Sequence, residues 1–177
     1  YISEKEEGIQ QLEKIIKRVL EDKARFEREL RIRQQQETLK TKSFKALKGQ
    51  LPWPADGRII SKFGRQWNSK LKTTTENPGI DIKGKPGSSI RTVLGGVVTT
   101  ITYIRGYGTT IIVDHGGGFY TVYSHVTNIQ TNVDSQVRNG DVIAYMGDSG
   151  SINGSKLHFE IWGKGQKLDP EKWLRKK

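Results

Sequence analysis

At Lys48-Gly49-Gln50-Leu51-Pro52-Trp53-Pro54 the chain changes character, and no single element can run through that point. Proline fixes φ and lacks a backbone N–H, so two prolines and a glycine in one short stretch end a helix. Before the break, residues 1–48 contain no Pro and one Gly, at position 8. Ile9, Leu12, Ile16, Val19, Lys23, Phe26 and Leu30 follow one another at alternating intervals of three and four. That is the a/d seam of a heptad pattern, with Lys23 filling one apolar place. Ile15, Leu20 and Ala24 widen the stripe, and from Arg31 to Gln36 the pattern turns polar. The spacing predicts a coiled-coil or regulatory helix over 1–48. Its stripe would pair with another helix or pack on the domain that follows.

After the break, short β-branched runs alternate with Gly, Asn and Asp. The runs are Arg58–Phe63, Ile80–Ile82, Ser89–Val93, Gly96–Ile104, Thr109–Asp114, Tyr120–His125, Asp141–Met146 and Leu157–Trp162. Turn signals separate them at Asp56-Gly57, Gly116-Gly117-Gly118, Asn139-Gly140 and Asp148-Ser149-Gly150. The expected architecture for 49–177 is a mainly β, antiparallel domain, a sandwich or partly open barrel. Asp169-Pro170-Glu171-Lys172-Trp173-Leu174 reads as a capped turn or short helix whose Trp173 and Leu174 pack on the sheet.

The net charge of +11 is spread over both parts, with 13 basic against 9 acidic residues in 1–48 and 17 against 10 thereafter. It serves solubility, or it suits an acidic partner protein or an anionic envelope polymer. No nucleic-acid motif accompanies it, which argues against nucleic acid. The absence of cysteine excludes disulfides and thiolate–metal sites. No apolar run is long enough to span a membrane. The chain opens at Tyr1 inside a charged helical pattern, with no initiator Met and no signal peptide. We read it as processed or truncated, its targeting segment lost.

Three stretches carry chemistry: Asn77-Pro78-Gly79-Ile80-Asp81, Tyr123-Ser124-His125 and Lys156-Leu157-His158-Phe159-Glu160. A hydrolytic zinc site needs about three protein ligands, a place for water and a base beside it. Asp81, His125 and His158 have suitable donors. Asn77 offers only a neutral amide oxygen. A protonated Lys156 has no lone pair, and at about 5 Å in an effective dielectric of about 20 it would repel a dication by on the order of 6 kcal/mol. A neutral lysine amine would relieve that repulsion and could even ligate. Each survivor also has a plain structural role open to it. Asp81 could satisfy backbone donors in a turn, His158 could be an ordinary buried histidine, and His125 a hydrogen-bonded one. His115, before three glycines, reads as a turn residue, and the pair Glu160 and Trp162 as scaffold.

In order, the residues include Trp53-Pro54, Phe63-Gly64-Arg65, Gly79-Ile80-Asp81, Gly95-Gly96-Val97-Val98, Gly106-Tyr107-Gly108, Asp114-His115-Gly116, Tyr123-Ser124-His125, Gly140-Asp141, Gly147-Asp148-Ser149-Gly150 and Leu157-His158-Phe159-Glu160. This series resembles the LytM, or lysostaphin-type, zinc peptidase domain of peptidoglycan hydrolases, over roughly 50–175. Active members of that family carry His-x-Gly-x-Asp and His-x-His. The resemblance implies that Asn77, Asp81 and His158 stand at the three zinc-ligand positions. Lys156 and His125 then stand at the catalytic histidine positions. Two ligands and one catalytic histidine remain, which implies a degenerate site with no catalytic residue set, no metal and no cofactor.

With its N-terminal heptads, the chain looks like the EnvC-like murein hydrolase activators of bacterial cell division. That resemblance implies a non-enzymatic protein of the periplasm or cell envelope. It would bind a zinc-dependent N-acetylmuramoyl-L-alanine amidase in the former substrate groove, touch peptidoglycan, and be tied through its coiled coil to an FtsE–FtsX-type membrane complex. The groove residues expected are Asn77, Asp81, His125, Lys156 and His158, with Arg65 and Trp67 from the loop Arg65–Asn77. The alternatives are an active zinc endopeptidase with altered ligands and a peptidoglycan-binding scaffold module.

Overall fold

The computed structural model describes residues 2–148 and 154–177. Ser149 and Gly150, half of the Gly147–Gly150 motif, lie outside the described residues. Helix α1 runs from Ile2 to Ala46, the length that a stretch without proline allows. Contacts divide the chain into two compact units, Tyr1–Leu39 and Lys40–Lys177. In the first, the heptad side chains are exposed, Ile16 at 50% and Phe26 at 62%. No helix among the described residues is long and apolar enough to cross a membrane.

The second unit is built on antiparallel strands. They are β1 (Arg58–Ser61), β2 (Gly64–Asn68), β3 (Thr73–Asn77), β4 (Ile80–Lys83), β5 (Ser89–Arg91), β6 (Gly96–Ile104), β7 (Gly108–Gly116), β8 (Phe119–Ser124), β9 (Val126–Thr127), β10 (Gln136–Val137), β11 (Val142–Met146), β12 (Lys156–Gly163) and β13 (Gln166–Leu168). The main sheet has the order β1-β4-β12-β8-β7-β6-β10, with β13 on β12. It does not close into a barrel. A small sheet, β5-β11-β9, and the hairpin β2-β3 complete the unit.

Alternation assigns the faces. Successive side chains on a strand point to opposite sides. Leu157, Phe159 and Ile161 of β12 therefore enter the core with Ile80 and Ile82 of β4 and Ile111 and Val113 of β7, all fully buried. The opposite face of β12 presents Lys156, His158, Glu160 and Trp162.

The segment 65–77, expected as a loop, is the β2-β3 hairpin. The run Thr73-Thr74-Thr75 is β-branched and pairs with Asn68, Trp67 and Gln66. The turn is chemically specified. The Asn68 carboxamide oxygen accepts from the backbone N–H groups of Lys70 and Leu71 at 3.0 and 3.2 Å, the turn chemistry of asparagine.

The end of α1 belongs to the β unit, so the compact unit starts before the Gly-Pro break. Phe44 is buried, stacks on Phe119 with centroids 4.1 Å apart, and lies 5.2 Å from Trp173. Beside it the β7-β8 turn comes against Thr41. A Cβ on Gly117, whose φ is +64°, would stand 2.7 Å from the Thr41 backbone nitrogen, so only glycine fits there. The chain after α1 is stitched to the C-terminus, where α2 (Pro170–Trp173) is capped by the Asp169 side chain. The Trp173 carbonyl accepts from Gly49 N–H at 2.9 Å, and Leu51 and Leu174 form a parallel bridge. Trp173 and Leu174 are both buried.

Phe44→Ala should therefore cost about 3–5 kcal/mol, the usual loss for a core phenylalanine. Phe26→Ala, on the exposed seam of the same helix, should stay within about 0.5 kcal/mol. Urea unfolding of both variants checks the contrast. Equal effects would show that the helix end is not part of the core.

Candidate functional site

The register of five adjacent strands lines up one polar row. Ser61 faces Asp81, Asp81 faces His158, His158 faces Ser124, and Ser124 faces Thr110. The turn before β4 is held tight by Gly79, where a Cβ would fall 2.1 Å from the Phe159 carbonyl oxygen. This close approach of β4 to β12 sets Asp81 beside His158 and explains the glycine of the Asn77–Asp81 motif.

Within the row, charges alternate. Lys156 Nζ donates to Asp81 Oδ2 at 3.0 Å. His158 Nδ1 meets Asp81 Oδ1 at 2.6 Å, and His158 Nε2 meets Glu160 Oε1 at 2.8 Å. Trp162 Nε1 donates to Glu160 Oε2 at 2.6 Å. The Lys156 and Asp81 side chains are only 12% and 14% exposed. Both ring nitrogens of His158 face carboxylates, and only an imidazolium can donate through both. The sequence Lys⁺–Asp⁻–His⁺–Glu⁻ sums to zero, so each buried charge has an opposite neighbour.

The protonation equilibria follow this pattern. Burial alone would push the Asp81 carboxyl up, but hydrogen bonds and charge from His158 and Lys156 carry it below the usual carboxylate value. Burial would likewise raise Glu160, and His158, Trp162 and the Lys167 charge bring it down. For His158 burial works downward, and the two carboxylates outweigh it, so the imidazole sits above its ordinary value. Tyr107 is pushed up by burial and by the neighbouring Glu160 charge.

The expected site residues divide into three groups. Asp81, Lys156 and His158 are brought into direct contact. Asn77 is next to them through Ser61: its amide nitrogen donates to Ser61 Oγ at 2.9 Å, while its oxygen accepts from Gly79 N–H at 3.1 Å. His125 is buried with φ of +62°. Its N–H bonds the carbonyl of Tyr107, whose ring stands edge-on to His158 at 5.3 Å. Arg65 and Trp67 lie on β2, exposed, Trp67 at 65%.

Two readings need correction. Glu160 and Trp162 are members of the polar chain, not mere scaffold. The period of two in Lys156-x-His158-x-Glu160-x-Trp162 was the signal available for this. His115 is a strand residue of β7, not a turn residue. Its Nδ1 lies 2.9 Å from the Gly95 carbonyl and therefore carries the proton, and its Nε2 lies 2.7 Å from Thr121 Oγ1. Burial holds its pKa down.

The donor set does not fit a zinc ion. The Asn77 amide is engaged by Ser61 and Gly79, an ammonium rests on Asp81, and neither nitrogen of His158 has a free lone pair. Among the described residues no group of three His, Cys, Asp or Glu could hold a metal ion. Beside the polar chain opens a cleft of about 580 Å³. Glu160, Tyr107 and Trp162 line it with Thr99, Ile104 and Ile112, so the inner end of the charge chain forms part of its wall.

Comparison with known proteins gives a consistent picture. Residues 75–170 match peptidase family M23. The chain is 33% identical over 129 residues to the murein hydrolase activator EnvC of Escherichia coli, covering 73% of this chain and 30% of that protein. It is 35% identical over 123 residues to the murein hydrolase activator NlpD of Escherichia coli, covering 69% and 30%. The chain thus spans about a third of the length of these relatives. In fold it is similar to a zinc-containing peptidase of Vibrio cholerae, with TM-score 0.65 and 22% identity over 73% of this chain and 41% of that one.

A raised His158 pKa gives stability that is complete below the unfolded value of about 6.5 and is lost as pH rises through the folded value. Asp81 and Glu160, both lowered, contribute above their unfolded values and lose the contribution as pH falls. NMR titration of the imidazole should find His158 still protonated above pH 6.5. Titration at or below that value would contradict the doubly donating imidazolium.

Proposed function

This chain belongs to peptidase family M23, and we propose that it activates a peptidoglycan amidase in the cell envelope instead of cleaving peptidoglycan itself. The observation that carries the reading is the ammonium of Lys156 seated on Asp81, in a site whose donors are all spent on one another. The names of the similar proteins, both murein hydrolase activators, point the same way. A peptide groove that has lost its metal still has a shaped cleft and polar walls, and can hold a protein segment without chemistry.

On this reading 49–177 is a degenerate LytM domain whose groove receives a segment of a zinc-dependent N-acetylmuramoyl-L-alanine amidase in the periplasm. Residues 1–48 are a coiled-coil regulatory segment tied to an FtsE–FtsX-type membrane complex. Asn77, Asp81, His125, Lys156 and His158 shape the groove floor. Arg65 and Trp67 supply contacts to the partner, since an exposed aromatic flanked by cations suits a protein interface. Lys156 is a positioning residue here, because its charge is committed to Asp81.

The test is dye release from labelled sacculi, with and without an amidase from the same organism. Release is expected only when both proteins are present. Trp67→Ala combined with Arg65→Glu should lower stimulation about tenfold or more, the loss of one interface hot spot, with thermal stability unchanged because both side chains are exposed. Release by this chain alone would make it a peptidase. Undiminished stimulation by the variant would remove the β2-β3 hairpin from the interface.

A further inference from the structure

Next to the polar row, on the same face of the sheet, the register lines up a second row made only of cations. Arg58 of β1 faces Lys83 of β4, and Lys83 faces Lys156 of β12. Lys83 lies two residues from Asp81, so both side chains point to one side of the sheet. Like charges directly opposite on neighbouring strands destabilise a sheet. Asp81 answers Lys156. Arg58 and Lys83 are exposed and pair with no carboxylate among the described residues. Two glycines enforce the arrangement. A Cβ on Gly57, whose φ is +144°, would stand 2.3 Å from the Lys83 carbonyl oxygen, and one on Gly84 would stand 2.6 Å from that of Asp56. The segments that carry Arg58 and Lys83 are thereby pressed together, with the exposed Lys85 just beyond.

These segments wall a cleft of about 530 Å³, lined by Arg58, Lys83 and Lys85. Asp56 also lines it, which leaves two positive charges in excess. Opposed cations with no partner in the chain break a rule of sheet design, and proteins break such rules at functional sites. We propose that this corner binds an acidic segment of a partner protein, whose carboxylates pair with Arg58, Lys83 and Lys85. The guanidinium fork of Arg58 fits a carboxylate through two hydrogen bonds. A peptide can place its carboxylates against the cations and a neutral residue against Asp56, whereas a polymer charged at every unit would bring an anion against Asp56 as well. Among the described residues no aromatic side chain lines the cleft, so a base has no face to stack on. The inference goes beyond the amidase reading and does not rest on it: the probe is a peptide and no hydrolase enters the test.

The test is fluorescence anisotropy of the full chain with two short labelled peptides, one alternating Gly and Glu, the other alternating Gly and Gln. The Glu peptide should bind at least about tenfold tighter, with the preference eroded by salt. The triple variant Arg58→Gln, Lys83→Gln, Lys85→Gln should weaken binding of the Glu peptide at least about tenfold. The variant Lys14→Gln, Lys17→Gln, Arg18→Gln removes the same charge from exposed positions of α1 and should change it by less than about twofold. Lys83→Gln alone should raise Tm by about 1–3 °C, because the opposed cations repel. Equal loss in the two triple variants, no preference for Glu over Gln, or a lower Tm for Lys83→Gln would overturn the proposal. So would a linear polyphosphate that binds tighter than the Glu peptide and is lost in the first triple variant.

Discussion

The polar row across β4 and β12 depends on a buried carboxylate finding a cation. An unpaired charge at Asp81 would be costly in so enclosed a place. In a metal site the ion would answer that need. Here the Lys156 ammonium does, at 3.0 Å, and His158 takes the other oxygen at 2.6 Å. The consequence runs further along the strand. An imidazole held between two carboxylates stays charged, and Glu160 then closes the series with Trp162 as an extra donor. Asn77 and Lys156 each have a place in this arrangement. Lys156 neutralises the site, and Asn77 turns away to secure the approach of β3 to β1 through Ser61.

The same strands that hold this chain build the core with their other face. The core is therefore indifferent to the chemistry of the polar row. Ile80, Ile82, Leu157, Phe159 and Ile161 pack regardless of what the alternate positions do.

Much of this was legible in the residues. The Gly-Pro break, the β-branched runs and the ordered motifs indicated a helix followed by an antiparallel LytM-type domain, and β6 coincides with the run Gly96–Ile104. The proximity of Asp81, Lys156 and His158 followed from the motifs. What escaped was decided by tertiary contact. Phe44 falls inside 1–48, the segment expected as a coiled-coil or regulatory helix, and its stacking on Phe119 places the helix end in the core. The hairpin of 65–77 was hidden by its polar, exposed faces, since burial alternation is the usual sign of a strand. His115 looked like part of the glycine turn because its partners come from elsewhere in the chain, Gly95 from just before β6 and Thr121 from β8. Glu160 was read as scaffold with Trp162, although the period of two already placed both on the face of β12 that carries His158.

The central claim is that an internal cation has taken over the electrostatic role of a metal. Its most direct test is metal analysis of the purified chain by mass spectrometry, followed by zinc titration with Tm as readout. The account predicts no stoichiometric zinc, no micromolar binding and a Tm indifferent to chelator. One tightly bound zinc per chain, with a Tm that falls when it is stripped, would contradict it.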